Sequence, residues 1–336
     1  MAPQTNRQVR LRARPEGIPQ AAHFEIVAAP LPPLAEGHFR LRNAFLSVDP
    51  AMRGWVSAVA NYSTPVGIGE VMRSFAVGEV IESRHNLYAP GDRLVGMFGW
   101  QDYADSDGTN VTRRVRETNL PLSAQLGVLG LNGVTALLGL TRIGDPRPGE
   151  TVVVSTAAGS VGATVGQVAR ILGCRTVGIT GGPAKVALCR DEFGYDVALD
   201  YRAEADLSAA VAAACPDGVH VYFDNTAGAV SDAVMPHLAV GARVVICGTA
   251  AIASWNPPPL GPRVERHLLV KRARMQGFLY FDHLDGAEQA IEQLAGWMRE
   301  GRLVHREDIL EGLEAAPDAI AGLYRGENLG KRLIRL

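Results

Sequence analysis

Cysteine is scarce in this 336-residue chain, and Cys174, Cys189, Cys215 and Cys247 form no Cys-x-x-Cys pair. That excludes a disulfide scaffold and a cysteine-held zinc, and it leaves buried free thiols as the expectation. No uncharged apolar run approaches the roughly 18 residues that would span a bilayer. The opening stretch MAPQTNRQVRLRARPEG has no apolar signal region, so the expected location is the cytoplasm. The formal net charge is only −2, with no basic tract or acidic tail, which argues against nucleic acid as a partner and for a small molecule. Gly-x-Ser-x-Gly, His-Glu-x-x-His and Walker A motifs are all missing, so hydrolase and NTPase chemistry lack their mechanical parts. The eight histidines, among them His23, His38 and His85, are scattered and read as surface or structural residues.

What is present is organised around Thr151 to Gly173, TVVVSTAAGSVGATVGQVARILG. Thr151 to Ser155 is an apolar, β-branched run suited to a strand buried on both faces of a parallel sheet. Ala157, Gly159 and Gly162 follow at the spacing of the dinucleotide fingerprint G-x-G-x-x-G, with alanine in the first slot. Val161, Val165, Val168, Ile171 and Leu172 then repeat at helical spacing. A strand, a small-residue turn and a helix start are the parts that let backbone N–H groups approach a pyrophosphate.

The length suits two domains, and 47% hydrophobic with 20% charged residues suits a globular chain. Up to Phe98 the chain alternates strand-like pieces with Pro/Gly turns, interrupted at VDPAMRGW, where a short helix is expected; together these describe a small, mostly antiparallel barrel-like module. Leu126 to Leu140 is apolar, uncharged and helical in length, and it places the junction near Leu129. Strands over 151–155, 175–179, 197–200, 219–224, 242–247 and 274–278, with helices between them, predict a doubly wound parallel sheet. Helix 286–301 follows, and the strand-like end KRLIRL is expected to return to the first module. The expected fold is therefore α/β, with domains over 1–129 and 130–300 and a returning segment over 301–336.

An acid at the end of the second parallel strand would hold the ribose of NAD, but that strand ends in Ile179, Thr180, Gly181 and Gly182. A small loop followed by a cation accepts a 2′-phosphate instead, and Lys185 is the nearest cation in a chain with three lysines against thirty arginines. NADP(H) is the expected cofactor, although a solvated lysine on the first turn of a helix would read the same way. Tyr201 and the strand ends at Asn225 and Cys247 lie where ligands bind in such sheets; singly, each also fits an ordinary turn.

The motifs SVDPAMRG, YAPGDRLVG, VVVSTAAGSVGATVGQVARILGC, YFDNTAG, VVICG and ENLGKRLI run in order along nearly the whole chain. In them the chain resembles the zinc-independent branch of the medium-chain dehydrogenase/reductase superfamily, which includes prostaglandin reductases, alkenal double-bond reductases and curcumin reductases. The resemblance implies a GroES-like barrel domain beside a Rossmann domain, no metal site, a small apolar carbonyl substrate and a homodimer. It assigns Gly159, Ser160, Val161 and Gly162 to the pyrophosphate with Thr135 nearby, and Lys185, Tyr201 and Asn328 to the 2′-phosphate beside Thr180 and Gly181. Asn225 and Cys247 then line the cofactor, and Phe278, Leu279 and Tyr280 border its carboxamide. Hydride delivery to the β-carbon of an unsaturated ketone or aldehyde is the implied reaction, with Tyr62 as the candidate catalytic hydroxyl. Ala51, Met52, Tyr62, Trp255 and Tyr280 are the implied pocket. Ala51, Leu137 and Trp255 stand where relatives commonly carry tyrosine, which implies a more apolar pocket. It leaves open carbonyl reduction or secondary alcohol oxidation, and a non-catalytic NADPH-binding role.

Overall fold

The computed structural model describes residues 5–58, 63–252 and 257–336. The chain divides into two compact units, Met1–Leu126 with Glu307–Leu336, and Gly127–Arg306.

In the first unit, β1 (Thr5–Leu11) and β2 (Phe24–Pro30) form an antiparallel pair. A second sheet contains β3 (Phe39–Ser47), β4 (Ala76–Ser83), β5 (Arg93–Gly96), β6 (Tyr103–Ser106) and β7 (Val111–Arg114). A single helical turn, α1 (Met52–Trp55), leaves β3 through the Asp-Pro step expected to start it.

The second unit opens with α2 (Leu131–Leu138). The helix expected over 126–140 starts later, at Leu131, because Gly130 is extended and the preceding loop doubles back, and it runs on past Leu138 as a wider helical turn over Gly139–Gly144. A Cβ on Gly133 would overlap the Val128 carbonyl. Its parallel strands are β8 (Thr151–Ser155), β9 (Arg175–Thr180), β10 (Val197–Asp200), β11 (Val219–Asp224), β12 (Leu238–Ile246) and β13 (Arg274–Gly277). Helices α3 (Ser160–Ile171), α4 (Pro183–Ala187), α5 (Leu207–Ala214), α6 (Gly228–Val234) and α7 (Glu265–Lys271) connect them, and α8 (Ala287–Arg299) follows.

The sheet order is β10-β9-β8-β11-β12-β13, so strand order reverses between β8 and β11. That reversal opens the crevice where doubly wound sheets bind ligands. Every residue of β8 is buried, as its uninterrupted β-branched run requires.

The tail returns to the first unit's sheet, with more structure than the strand expected of it. β14 (Glu307–Glu311), α9 (Ala316–Arg325) and β15 (Lys331–Arg335) lie there, and β15 pairs parallel to β14 and antiparallel to β3. Pro317 in the first turn and left-handed Gly326 at the end delimit α9.

Candidate functional site

The turn after β8 is built around the third glycine of the fingerprint. A Cβ on Gly162 would overlap the Thr156 carbonyl oxygen and come within 2.9 Å of the Ala157 Cα. The loop can close this tightly only over a bare backbone. Thr156 takes a positive φ of 54°, a costly conformation for a β-branched residue. Gly159 N–H donates to its carbonyl at 2.8 Å. Gly159 is also the N-cap of α3, and no side chain caps that helix. Its first-turn N–H groups, on Ser160, Val161 and Gly162, are therefore available to an anion at a 12-residue helix start. A glycine cradle beneath an uncapped helix is what a pyrophosphate needs.

The loop after β9 holds the residues expected to meet a 2′-phosphate. Thr180 is buried and pairs with Asp200 across the β9–β10 ladder. An acid thus reaches this loop from the neighbouring strand, where linear reading found none. Its Oδ1 accepts the Gly182 N–H at 2.9 Å and the Arg202 N–H at 3.0 Å, so it braces the loop. Gly181 lies against Tyr201 and Arg202: a Cβ there would stand 2.9 Å from both Tyr201 Cε1 and Arg202 Nε. Arg202 donates to the Tyr201 hydroxyl at 3.3 Å, and its guanidinium lies 5.7 Å from that ring's centroid. Lys185 is half-buried in α4. Arg202, not singled out in the sequence, joins Tyr201 at this loop; its one signal there was its place beside Tyr201 just past β10.

At the ends of β8 and β11 a buried network fixes Asn225. Ser155 Oγ donates to Asp224 Oδ1 at 3.1 Å and accepts the Asn225 N–H at 2.7 Å, while Asn225 Nδ2 donates to the Ser155 carbonyl at 2.7 Å. Asp224 also accepts from Thr226 N, Ala227 N and Ser231 Oγ. Cys247 N–H donates to the Asp224 carbonyl at 2.8 Å, which brings the β12 end alongside. Burial, reinforced by the Asp224 carboxylate, pushes the Cys247 thiol up to about 12, so the thiol is neutral at the end of β12. Beyond β13, Phe278 and Tyr280 are buried and Leu279 is half-buried. The Phe278 ring stacks on His283 with centroids 4.6 Å apart. Thr135 is buried in α2, and so is Leu137.

In the first unit Ala51 is half-buried and Met52 fully buried at the start of α1. Asn328 is buried, and its Nδ2 donates to the Gly330 carbonyl at 2.8 Å. Tyr62 and Trp255 lie outside the described residues. Among the described residues no group of three or more His, Cys, Asp or Glu side chains is placed to hold a metal ion.

Two family models match: "N-terminal domain of oxidoreductase" over residues 7–113 and "Zinc-binding dehydrogenase" over residues 160–298. The NADPH-dependent curcumin reductase of Escherichia coli is 41% identical over 340 residues, covering 99% of this chain and 97% of that protein. The putative NADP-dependent oxidoreductase YfmJ of Bacillus subtilis is 40% identical over 336 residues, covering 99% and 98%. The crystal structure of CurA in complex with NADPH from Vibrio vulnificus superimposes with a TM-score of 0.91 at 39% identity, covering 98% of each chain.

Proposed function

As the chain belongs to the zinc-independent branch of the medium-chain dehydrogenase/reductase superfamily, we propose that it is an NADPH-dependent reductase of α,β-unsaturated ketones and aldehydes. The observation that carries this reading is the pairing of a pyrophosphate cradle at Gly159–Gly162 with a loop after β9 whose neighbouring acid, Asp200, is committed to backbone N–H groups and beside which Arg202 stands against Tyr201. Relatives matched over nearly their full length are named an NADPH-dependent curcumin reductase and a putative NADP-dependent oxidoreductase.

NADPH, when bound, supplies a hydride for the β-carbon of the substrate. The residues present fit it: the first-turn amides of α3 take the pyrophosphate, and Lys185, Tyr201 and Arg202 take the 2′-phosphate. Asn225, held by Ser155 and Asp224, and neutral Cys247 line the strand ends. Thr135, Phe278, Leu279, Tyr280 and Asn328 keep the cofactor roles expected of them in this reading. Tyr62 supplies the hydroxyl that steadies the negative charge developing on the substrate oxygen. Ala51, Met52, Trp255 and Tyr280 keep the substrate role that the resemblance implies for them in this reading. The reading extends to a cytoplasmic homodimer, supported by β13, which ends the six-stranded sheet with all four residues exposed.

Product identification tests the proposal: purified protein, NADPH and 4-phenyl-3-buten-2-one, read by mass and NMR. A saturated ketone is expected. An allylic alcohol would replace ene reduction with carbonyl reduction, the reading favoured by the absence of tyrosine at Ala51, Leu137 and Trp255. Tight NADPH binding without turnover over a broad enone and ketone panel would leave a cofactor-binding protein.

A further inference from the structure

We infer that Lys331 is a positioning residue that holds the segment Ser47–Met52 in place through all three of its ammonium protons. Lys331 lies in β15 with a side chain only 5% exposed. Its Nζ donates to Ser47 Oγ at 2.7 Å, the Val48 carbonyl at 3.0 Å and Asp49 Oδ1 at 2.6 Å. Three consecutive residues thus converge on one nitrogen. Ser47 Oγ in turn donates to Asp49 Oδ2, while its carbonyl accepts from Trp100 Nε1 at 3.0 Å and Ser74 Oγ at 2.8 Å. The Asp49 carbonyl then accepts the Met52 N–H at 3.0 Å, which sets the start of α1.

The choice of cation supports this assignment. Only three of the chain's 33 cationic residues are lysine. Elsewhere in the same unit the buried cations are arginines facing carboxylates: Arg40 with Asp105, Arg113 with Glu117 and, next door, Arg332 with Asp308. A planar guanidinium fork suits a carboxylate, whereas acceptors converging on a point require a tetrahedral ammonium. A buried ion pair is weak evidence for stability, since an apolar pair of similar volume often serves as well. What this pair does beyond that is tie together three consecutive residues, through two side chains and one carbonyl, just ahead of Ala51 and Met52. Its consequence for catalysis rests on the reading that those two residues border the substrate.

Lys331→Arg keeps the charge and removes the point geometry. The neutral pair Asp49→Asn with Lys331→Met removes both charges and leaves none buried alone. For each, NADPH affinity is expected to stay within about twofold of wild type, while the enone KM rises about tenfold or more, the scale on which small misplacements are felt. Amide hydrogen exchange over residues 48–56 is expected to accelerate, with the second unit unchanged. A folded variant with wild-type enone KM, or with unchanged exchange over 48–56, overturns the proposal. If neither protein folds, Ser47→Ala, which deletes one acceptor, decides it by the same two readouts. Exchange is read without turnover, so a wild-type protein that reduces no enone defeats the reductase reading alone, and the positioning role is then decided by exchange.

Discussion

The Tyr195 ring occupies the space that a side chain on Gly166 would need. A Cβ at 166 would overlap the ring's Cζ and hydroxyl oxygen, and that hydroxyl donates to the Gly162 carbonyl at 2.6 Å. One tyrosine thereby props the helix that follows the dinucleotide turn and ties down the glycine that closes it. Gly166→Ala is expected to destabilise the protein by about 1–3 kcal/mol, the usual range for overpacking. Tyr195→Phe, which loses one buried hydrogen bond, is expected to cost about 1 kcal/mol. Urea unfolding of both variants checks this. A Gly166→Ala protein as stable as wild type would mean that the ring has room to move.

Cofactor selectivity is expected to reside in two cations. Lys185→Ala should weaken NADPH by about 2 kcal/mol or more, roughly 30-fold, with little effect on NADH, because a charge-assisted contact to the 2′-phosphate is lost. Arg202→Ala should act in the same direction and add to it. Titration calorimetry with both cofactors measures the difference. Equal losses for NADPH and NADH would remove either residue from the phosphate site.

Much of this was readable in one dimension. Thr151–Ser155 and Val219–Asp224 appear where their apolar runs stand, because strands covered on both faces need no polar alternation. The glycine turn was legible for the same local reason. The short strands Tyr103–Ser106 and Val111–Arg114 were not, since their charged residues carry no periodicity and pairing with β3 and β5 makes them strands. Asp200 reaches the loop after β9 only through the register that sets it opposite Thr180. Tyr195 under Gly166 and Lys331 beneath Ser47 depend on folds of the chain across 29 and 284 residues, and no local pattern announces them.

Thiol chemistry should be silent in the native state. Burial raises Cys174 and Cys215 to about 11 and Cys189 and Cys247 to about 12, so near pH 8 the reactive thiolate is scarce at all four. A thiol-disulfide reagent is expected to label the native protein slowly and four thiols at once in denaturant. Rapid native labelling of one thiol would show that its site opens.

His237 should give the stability curve a step on the acid side. Burial holds it below its ordinary value of 6.5, and its Nε2 lies 2.8 Å from Ser208 Oγ. The folded state therefore favours the neutral ring. The stabilisation is complete above about pH 6.5, the unfolded value, and is lost as pH falls from there through the folded value. His237→Gln is expected to flatten that part of the profile, as measured by unfolding free energies near pH 7.5 and 5.5. An unchanged slope would place the acid sensitivity elsewhere.

The free edge of the parallel sheet gives the last prediction. β13 exposes Arg274, Met275, Gln276 and Gly277, and nothing in the strand blunts it with proline or a bulge. The helix before it, α7, leaves Leu269 78% and Val270 55% exposed. A strand edge with open backbone groups beside bare aliphatic side chains is a surface that a second copy is expected to cover by continuing the sheet. Light scattering is expected to give twice the 35.8 kDa chain mass for the wild type and the single mass for Leu269→Lys with Met275→Lys. A wild-type monomer would end the homodimer reading, and a dimer that survives both charges would move its interface away from this edge.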